Sequence, residues 1–128
     1  MNKYVTDFSS QFKDKIIIVT GSTQGSGAET AKLLAHRGAK GITICGRKEK
    51  EGLEVKKEIE KIGSECVFVK ADLSKEDDCR DIVNLTDKNF GRVNSLINVA
   101  GFTERGTILS TTMENYNMCF DVNTKAPF

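Results

Sequence analysis

Eight residues, Thr20-Gly21-Ser22-Thr23-Gln24-Gly25-Ser26-Gly27, carry the clearest chemistry in the chain. They follow an unbroken apolar run, Ile16-Ile17-Ile18-Val19, and lead into a helix-forming stretch from Ala28 to Arg37. A buried strand, a glycine-rich turn and a helix start, in that order, can cradle a phosphate. The glycines allow a tight turn and let a ligand approach the backbone. The helix start then offers unpaired N–H groups at the positive end of its dipole. The order reads as the opening of a dinucleotide-binding unit, with a ligand-free glycine turn as the plain alternative.

Spacing narrows the loop type. The G-x-G-x-x-G fingerprint fails at its third glycine, because the chain reads Gly25-Ser26-Gly27-Ala28-Glu29-Thr30. No Gly-Lys-Ser or Gly-Lys-Thr occurs, which excludes the phosphate loop of nucleoside triphosphatases. What stands is T-G-x-x-x-G-x-G.

The elements that must position this loop follow from periodicity. Strand-like runs cover Lys15–Thr20, Gly41–Cys45, Cys66–Lys70 and Ser95–Val99. Helix-like runs cover Gly25–Arg37, Lys48–Ile62, Lys75–Phe90 and Thr112–Lys125. In the second helix Val55, Ile59 and Ile62 share a face. In the third, Cys79, Ile82, Val83, Thr86 and Phe90 do. Ser74 with Asp77, and Thr111 with Glu114, carry the S/T-x-x-D/E pattern of a capped helix start. Gly38 and Gly63 stand where helices end. Strands alternating with helix-length crossovers predict an α/β fold, a Rossmann-like parallel sheet with helices on both faces. Four strands are expected in the order 3-2-1-4.

Such a sheet brings the C-terminal ends of its strands to one edge, where ligands bind. The residues after each strand therefore belong together: the glycine turn, Gly46-Arg47-Lys48, Asp72-Leu73 and Ala100-Gly101. The residue after the second strand reads the cofactor ribose. An acid there would accept from a 2′-hydroxyl and repel a 2′-phosphate. This chain has Arg47 and Lys48 instead, and a guanidinium can hold a phosphate through two parallel bonds. NADP is accordingly favoured over NAD. Arg47 as a plain surface helix start is the alternative, and the lysine-rich helix behind Lys48 makes that residue harder to single out.

With these residues in view, the chain resembles the short-chain dehydrogenase/reductase family over nearly its whole length. The T-G-x-x-x-G-x-G loop is the family form of the nucleotide loop. Asn98-Val99-Ala100-Gly101 resembles the family's N-N-A-G, with Val99 at the second Asn, and Asn94 stands where an acid is usual. The resemblance implies that Gly21, Ser22, Thr23, Gln24, Gly25, Ser26 and Gly27 bind the cofactor with Arg47, Lys48, Asp72, Leu73, Asn98, Ala100 and Gly101. It places Asp72 beside the adenine, although an acid before a helix start is favoured by the dipole in any case. Asn98 would bridge strands, and small Ala100 and Gly101 would admit the cofactor ribose. Asn123 resembles the family Asn that interrupts the fourth helix and holds a water in a proton relay. By physics alone a mid-helix Asn is commonly solvent-facing. Two departures stand in the loop: Ser26 replaces an apolar residue, and Gln24 sits where NADP users often carry a base.

The implied chemistry is hydride transfer between a nicotinamide cofactor and a carbonyl or alcohol substrate. It needs a Ser and a Tyr-x-x-x-Lys pair. Four residues beyond Tyr4 is Phe8, and four beyond Tyr116 is Phe120, so neither tyrosine supplies the pair. The resemblance maps to the N-terminal half of the family. Residues 1–128 are then expected to be a single, incomplete NAD(P)-binding domain with an N-terminal extension over 1–14. The alternative is a non-catalytic dinucleotide-binding or regulatory module, with a flavodoxin-like domain behind it. Phe102, Thr103 and Glu104 are expected on the near side of the substrate pocket, too few to name a substrate. The fourth strand should be an open apolar edge. The fourth helix, with Tyr116, Met118 and Phe120, should seek a partner, so a homo-oligomer is expected.

Composition excludes other classes. The net charge of +1, from 19 basic and 18 acidic residues, gives no pull toward nucleic acid or an anionic membrane. No apolar run is long enough to span a bilayer, and Met1 to Gln11 has no apolar signal region. Cys45, Cys66, Cys79 and Cys119 form no C-x-x-C pair, and His36 is the only histidine, so no metal site is expected. Reduced thiols in a cytoplasmic protein are the natural reading.

Overall fold

A computed structural model describes residues 6–128. Four parallel strands, β1 (Ile16–Val19), β2 (Gly41–Gly46), β3 (Glu65–Lys70) and β4 (Ser95–Ile97), form one sheet in the order β3-β2-β1-β4. Between them run α1 (Gly25–His36), α2 (Glu49–Ile62) and α3 (Glu76–Phe90). After β4 come α4 (Met113–Phe120) and a π-helical turn, Asp121–Lys125. Register is continuous from Gly41↔Glu65 across to Ile17↔Ser95. The α/β architecture expected from periodicity and the strand order expected of a Rossmann-like sheet are both present.

The central strands are apolar at every position but Thr43, because both of their faces are covered. Ile17 and Val19 of β1 and Ile42 and Ile44 of β2 pack against Ala28, Ala31 and Leu34 of α1 and Val55 and Ile59 of α2. Ile18, Cys45 and Val69 face the other way, onto Ile82 of α3. Each fully buried isoleucine side chain is worth about 2 kcal/mol, so β1 and β2 anchor the sheet. The one polar pair inside the second face is satisfied. The Thr86 hydroxyl lies 2.8 Å from that of Thr43 and 2.6 Å from the Ile82 carbonyl.

Several expectations shift. Val83 is exposed, while Ile82 and Thr86 carry the α3 contact. Ser74 does not cap α3. Its hydroxyl and N–H both donate to Asp72 Oδ1, at 2.8 and 3.1 Å, and the helix begins after Lys75. Thr111 donates its hydroxyl to the Thr107 carbonyl, and the cap of α4 passes to Thr112, whose Oγ1 accepts from Asn115 N at 3.2 Å. β4 is two residues shorter than expected, ending at Ile97, and Leu96 on this edge strand is 48% exposed. Of the proposed extension, residues 1–5 lie outside the described residues. Phe12 donates its N–H to the Arg37 carbonyl at 2.9 Å and packs on the α1/α2 core, while Lys13 pairs with Ala39. No helix among the described residues is long and apolar enough to cross a membrane.

Candidate functional site

A cleft of about 390 Å³ opens at the C-terminal ends of the strands. One wall is the glycine loop with the start of α1. The floor and second wall are Gly46-Arg47-Lys48, Ala71-Asp72-Leu73 and Val99 to Phe102, with Met118 and Val122 behind them. The sequence places these segments together only through the strand order, and the structure brings them into one cavity.

Two glycines are required by contact. Gly21 has φ +62°, and a Cβ there would lie 2.7 Å from Ala100 Cα, inside the adjoining backbone. A Cβ on Gly27 would press on the Gly21 carbonyl and sit 3.0 Å from Ser22 Cα. The loop can therefore fold back on β1 only with hydrogen at both positions. The turn leaves the first N–H groups of α1 facing the cleft, because Gln24 is its N-cap in extended backbone and makes no side-chain cap bond. Of the four α-helices among the described residues, α1 alone has no acid in its first turn. Its dipole is thus free to meet an external anion.

Two hydroxyls hold the loop from behind. Ser22 is fully buried; its Oγ donates to the Val19 carbonyl at 2.6 Å and accepts from Cys45 N at 2.9 Å. It staples the ends of β1 and β2 and does not reach the cleft wall. Thr20 Oγ1 accepts from both Val99 N and Ala100 N, each at 3.2 Å. This hydroxyl joins the ends of β1 and β4. The exposed Asn98 makes no side-chain hydrogen bond among the described residues and lies outside the cleft wall. Buried beside Ser22, the Cys45 thiol is pushed up to about 11 by desolvation.

The reading end of the cleft carries charge of both signs. Asp72 is held below the usual carboxylate range, chiefly by the Ser74 hydroxyl and N–H, with smaller help from the positive charges of Arg47 and Lys75. Its own N–H donates to Asp78 Oδ2 at 2.6 Å. Lys48 reaches across the cleft mouth and donates from Nζ to Gln24 Oε1 at 2.6 Å. A base therefore stands against the loop position where the sequence shows only Gln24.

Asn123 sits in the π-helical turn, where Ala126 N donates back to the Asp121 carbonyl at 2.8 Å. It lines no part of the cleft. Its Oδ1 accepts from Phe102 N at 2.8 Å and its Nδ2 donates to the Phe102 carbonyl at 2.7 Å. Phe102 lines the cleft, whereas Glu104 faces a separate small pocket beside α4. Ala71, Val99, Met118 and Val122 join the wall without any signal in their residue type. All four cysteines are free, and no group of His, Cys, Asp or Glu among the described residues could hold a metal.

These residues fit a phosphate-bearing dinucleotide: a hydrogen-only cradle, a helix start without acid, and two cations at the far rim. The family profile described as short chain dehydrogenase matches residues 15–128. An uncharacterized oxidoreductase of Thermotoga maritima is 36% identical over 117 residues, which cover 91% of this chain and 45% of that protein. A metagenomic short-chain oxidoreductase in complex with NADP superposes with a TM-score of 0.85 at 28% identity, covering 92% of this chain and 53% of that one. An NADH-dependent reductase complexed with NAD gives 0.83 at 28% identity, covering 92% and 49%. The chain belongs to the short-chain dehydrogenase family. It spans about half the length of the proteins it matches.

Proposed function

We propose that these residues form the cofactor-binding part of an NADP-dependent oxidoreductase, one that moves hydride between a nicotinamide cofactor and a carbonyl or alcohol substrate. The observation that carries the NADP reading is the end of β2. Arg47 and Lys48, and no acid, directly follow β2, on the rim of a cleft whose opposite wall is the glycine loop. Gly25, Ser26 and Gly27 would hold the pyrophosphate through backbone N–H groups. Arg47 and Lys48 would hold the 2′-phosphate, and Asp72 and Leu73 would flank the adenine. Ala100 and Gly101 leave room at the β4 side.

When bound, such a cofactor supplies or accepts the hydride. The chain's own contribution is to bind and orient it. Asn123, through its two bonds to Phe102, would hold the β4–α4 loop at the substrate side. The Tyr-x-x-x-Lys proton-transfer pair implied by the family is not among the 128 residues. The activity is therefore proposed for the whole protein. Free thiols support a reducing, cytoplasmic setting. The exposed Met113, Tyr116 and Phe120 on α4 support self-association, which sedimentation would measure.

Calorimetric titration with NADPH and NADH, beside Arg47→Ala, tests the reading. Charge-assisted bonds to a phosphate favour NADPH by about tenfold or more. Arg47→Ala should shrink that preference to the part that Lys48 supplies and leave NADH binding unchanged. Equal affinity for the two cofactors would refute the NADP assignment, and binding of neither would refute the site.

A further inference from the structure

Gln24 and Lys48 are the N-cap residues of α1 and α2, and neither side chain caps its own helix. They meet each other instead, Lys48 Nζ donating to Gln24 Oε1 at 2.6 Å. Both residues line the cleft. The bond runs from the loop to the start of α2, across the end that Arg47 and Asp72 share.

A lysine side chain left to itself samples many rotamers, and fixing it costs entropy. An exposed lysine at a helix start would therefore be a diffuse charge. Alternative anchors are near: Glu49, the next residue, is instead drawn to Lys70, with Lys70 Nζ 3.3 Å from Glu49 Oε2. That pairing engages the carboxylate that follows Lys48 in sequence with a different lysine. A neutral amide oxygen is the only acceptor Lys48 has among the described residues. An amide holds an ammonium without cancelling its charge, so the cation keeps its full attraction for an anion.

We propose that Gln24 is a positioning residue that aims the Lys48 ammonium at the 2′-phosphate, so that selectivity for NADPH over NADH depends on the Gln24–Lys48 pair. This rests on the NADP reading above. The pair places a cation from α2 at the loop position that itself carries no charge. Gln24 acts through Lys48 and not on the cofactor directly.

The test is a double-mutant cycle with Gln24→Met and Lys48→Met, read as NADPH and NADH dissociation constants of the full chain. Methionine matches the length of glutamine, keeps all but the last atom of the lysine side chain, and removes the bond. Gln24→Met should weaken NADPH about three- to fivefold, the worth of one modest hydrogen bond, and leave NADH unchanged. In the Lys48→Met background it should change neither. An equal effect on both cofactors, or a loss of selectivity that persists without Lys48, would overturn the proposal. A wild-type chain with no preference for NADPH would overturn the NADP reading itself and this inference with it. In the ligand-free chain, the Gln24 side-chain amide resonances should move on Lys48→Met; their staying in place would also overturn it.

Discussion

Asn123 holds Phe102 by both of its backbone polar groups, accepting from the N–H at 2.8 Å and donating to the carbonyl at 2.7 Å. The two residues are far apart in sequence, and their bond ties the π-helical turn after α4 to the loop after β4. Asn123→Ala removes both bonds, at about 1 kcal/mol each. The urea midpoint should fall, and the Phe102 amide should lose protection from hydrogen exchange. Asn123→Asp should be no milder, because its second oxygen would face the Phe102 carbonyl. Full protection of Phe102 in Asn123→Ala would show that the loop is held by something else.

Gly27→Ala and Gly25→Ala should part company. At Gly27 the new methyl meets the Gly21 and Ser22 backbone, which cannot yield without opening the loop. At Gly25 the methyl meets nothing within 4 Å, and the cost is the φ of +56°, about 1 kcal/mol. Gly27→Ala should abolish NADPH binding and lower the melting temperature. Gly25→Ala should weaken both modestly. Similar behaviour of the two variants in titration would contradict the cradle geometry.

Ser22→Ala should destabilise the fold without contacting a ligand. The variant leaves Cys45 N–H buried and without its 2.9 Å acceptor, a penalty of about 1–3 kcal/mol. Equilibrium unfolding in urea would show the loss, and Ser22→Thr, which restores the hydroxyl at the cost of a crowding methyl, should recover part of it.

Stability should decline in alkali. Burial pushes the Cys45 thiol from its ordinary 9.0 up to about 11 and the Cys66 thiol up to about 12. Both stay protonated in the folded chain while the unfolded chain ionises near 9.0. Their contribution is thus complete below pH 9.0 and is lost as pH rises through about 11 to 12. Urea midpoints measured below and above pH 9.0 should diverge less in Cys45→Ala and Cys66→Ala than in the parent. Equal slopes in all three chains would remove the thiols from the account.

The sheet and the cleft were legible in sequence because their causes are local. Ile16-Ile17-Ile18-Val19 announces a strand buried on both faces, and three glycines in seven residues announce the turn that follows. What stayed hidden depends on side chains that meet across the fold. Thr20 reaches Val99 from 79 positions away, and Gln24 reaches Lys48 from 24. Ser22 reads as a loop hydroxyl open to a ligand until β2 is seen beside it. The capping patterns at Ser74 and Thr111 failed by one residue because each hydroxyl found a better acceptor behind it, Asp72 in one case and the Thr107 carbonyl in the other.

Thr20 and Ser22 also decide how far the glycine loop can travel. One hydroxyl is bonded to the strand on its left and the other to the strand on its right. Grafted onto another protein as a peptide, residues 20–27 would leave behind the Cys45, Val99 and Ala100 backbone that gives the turn its shape. A transplant that keeps the function must move three strand ends together, so the portable unit is a slice of sheet and not a loop.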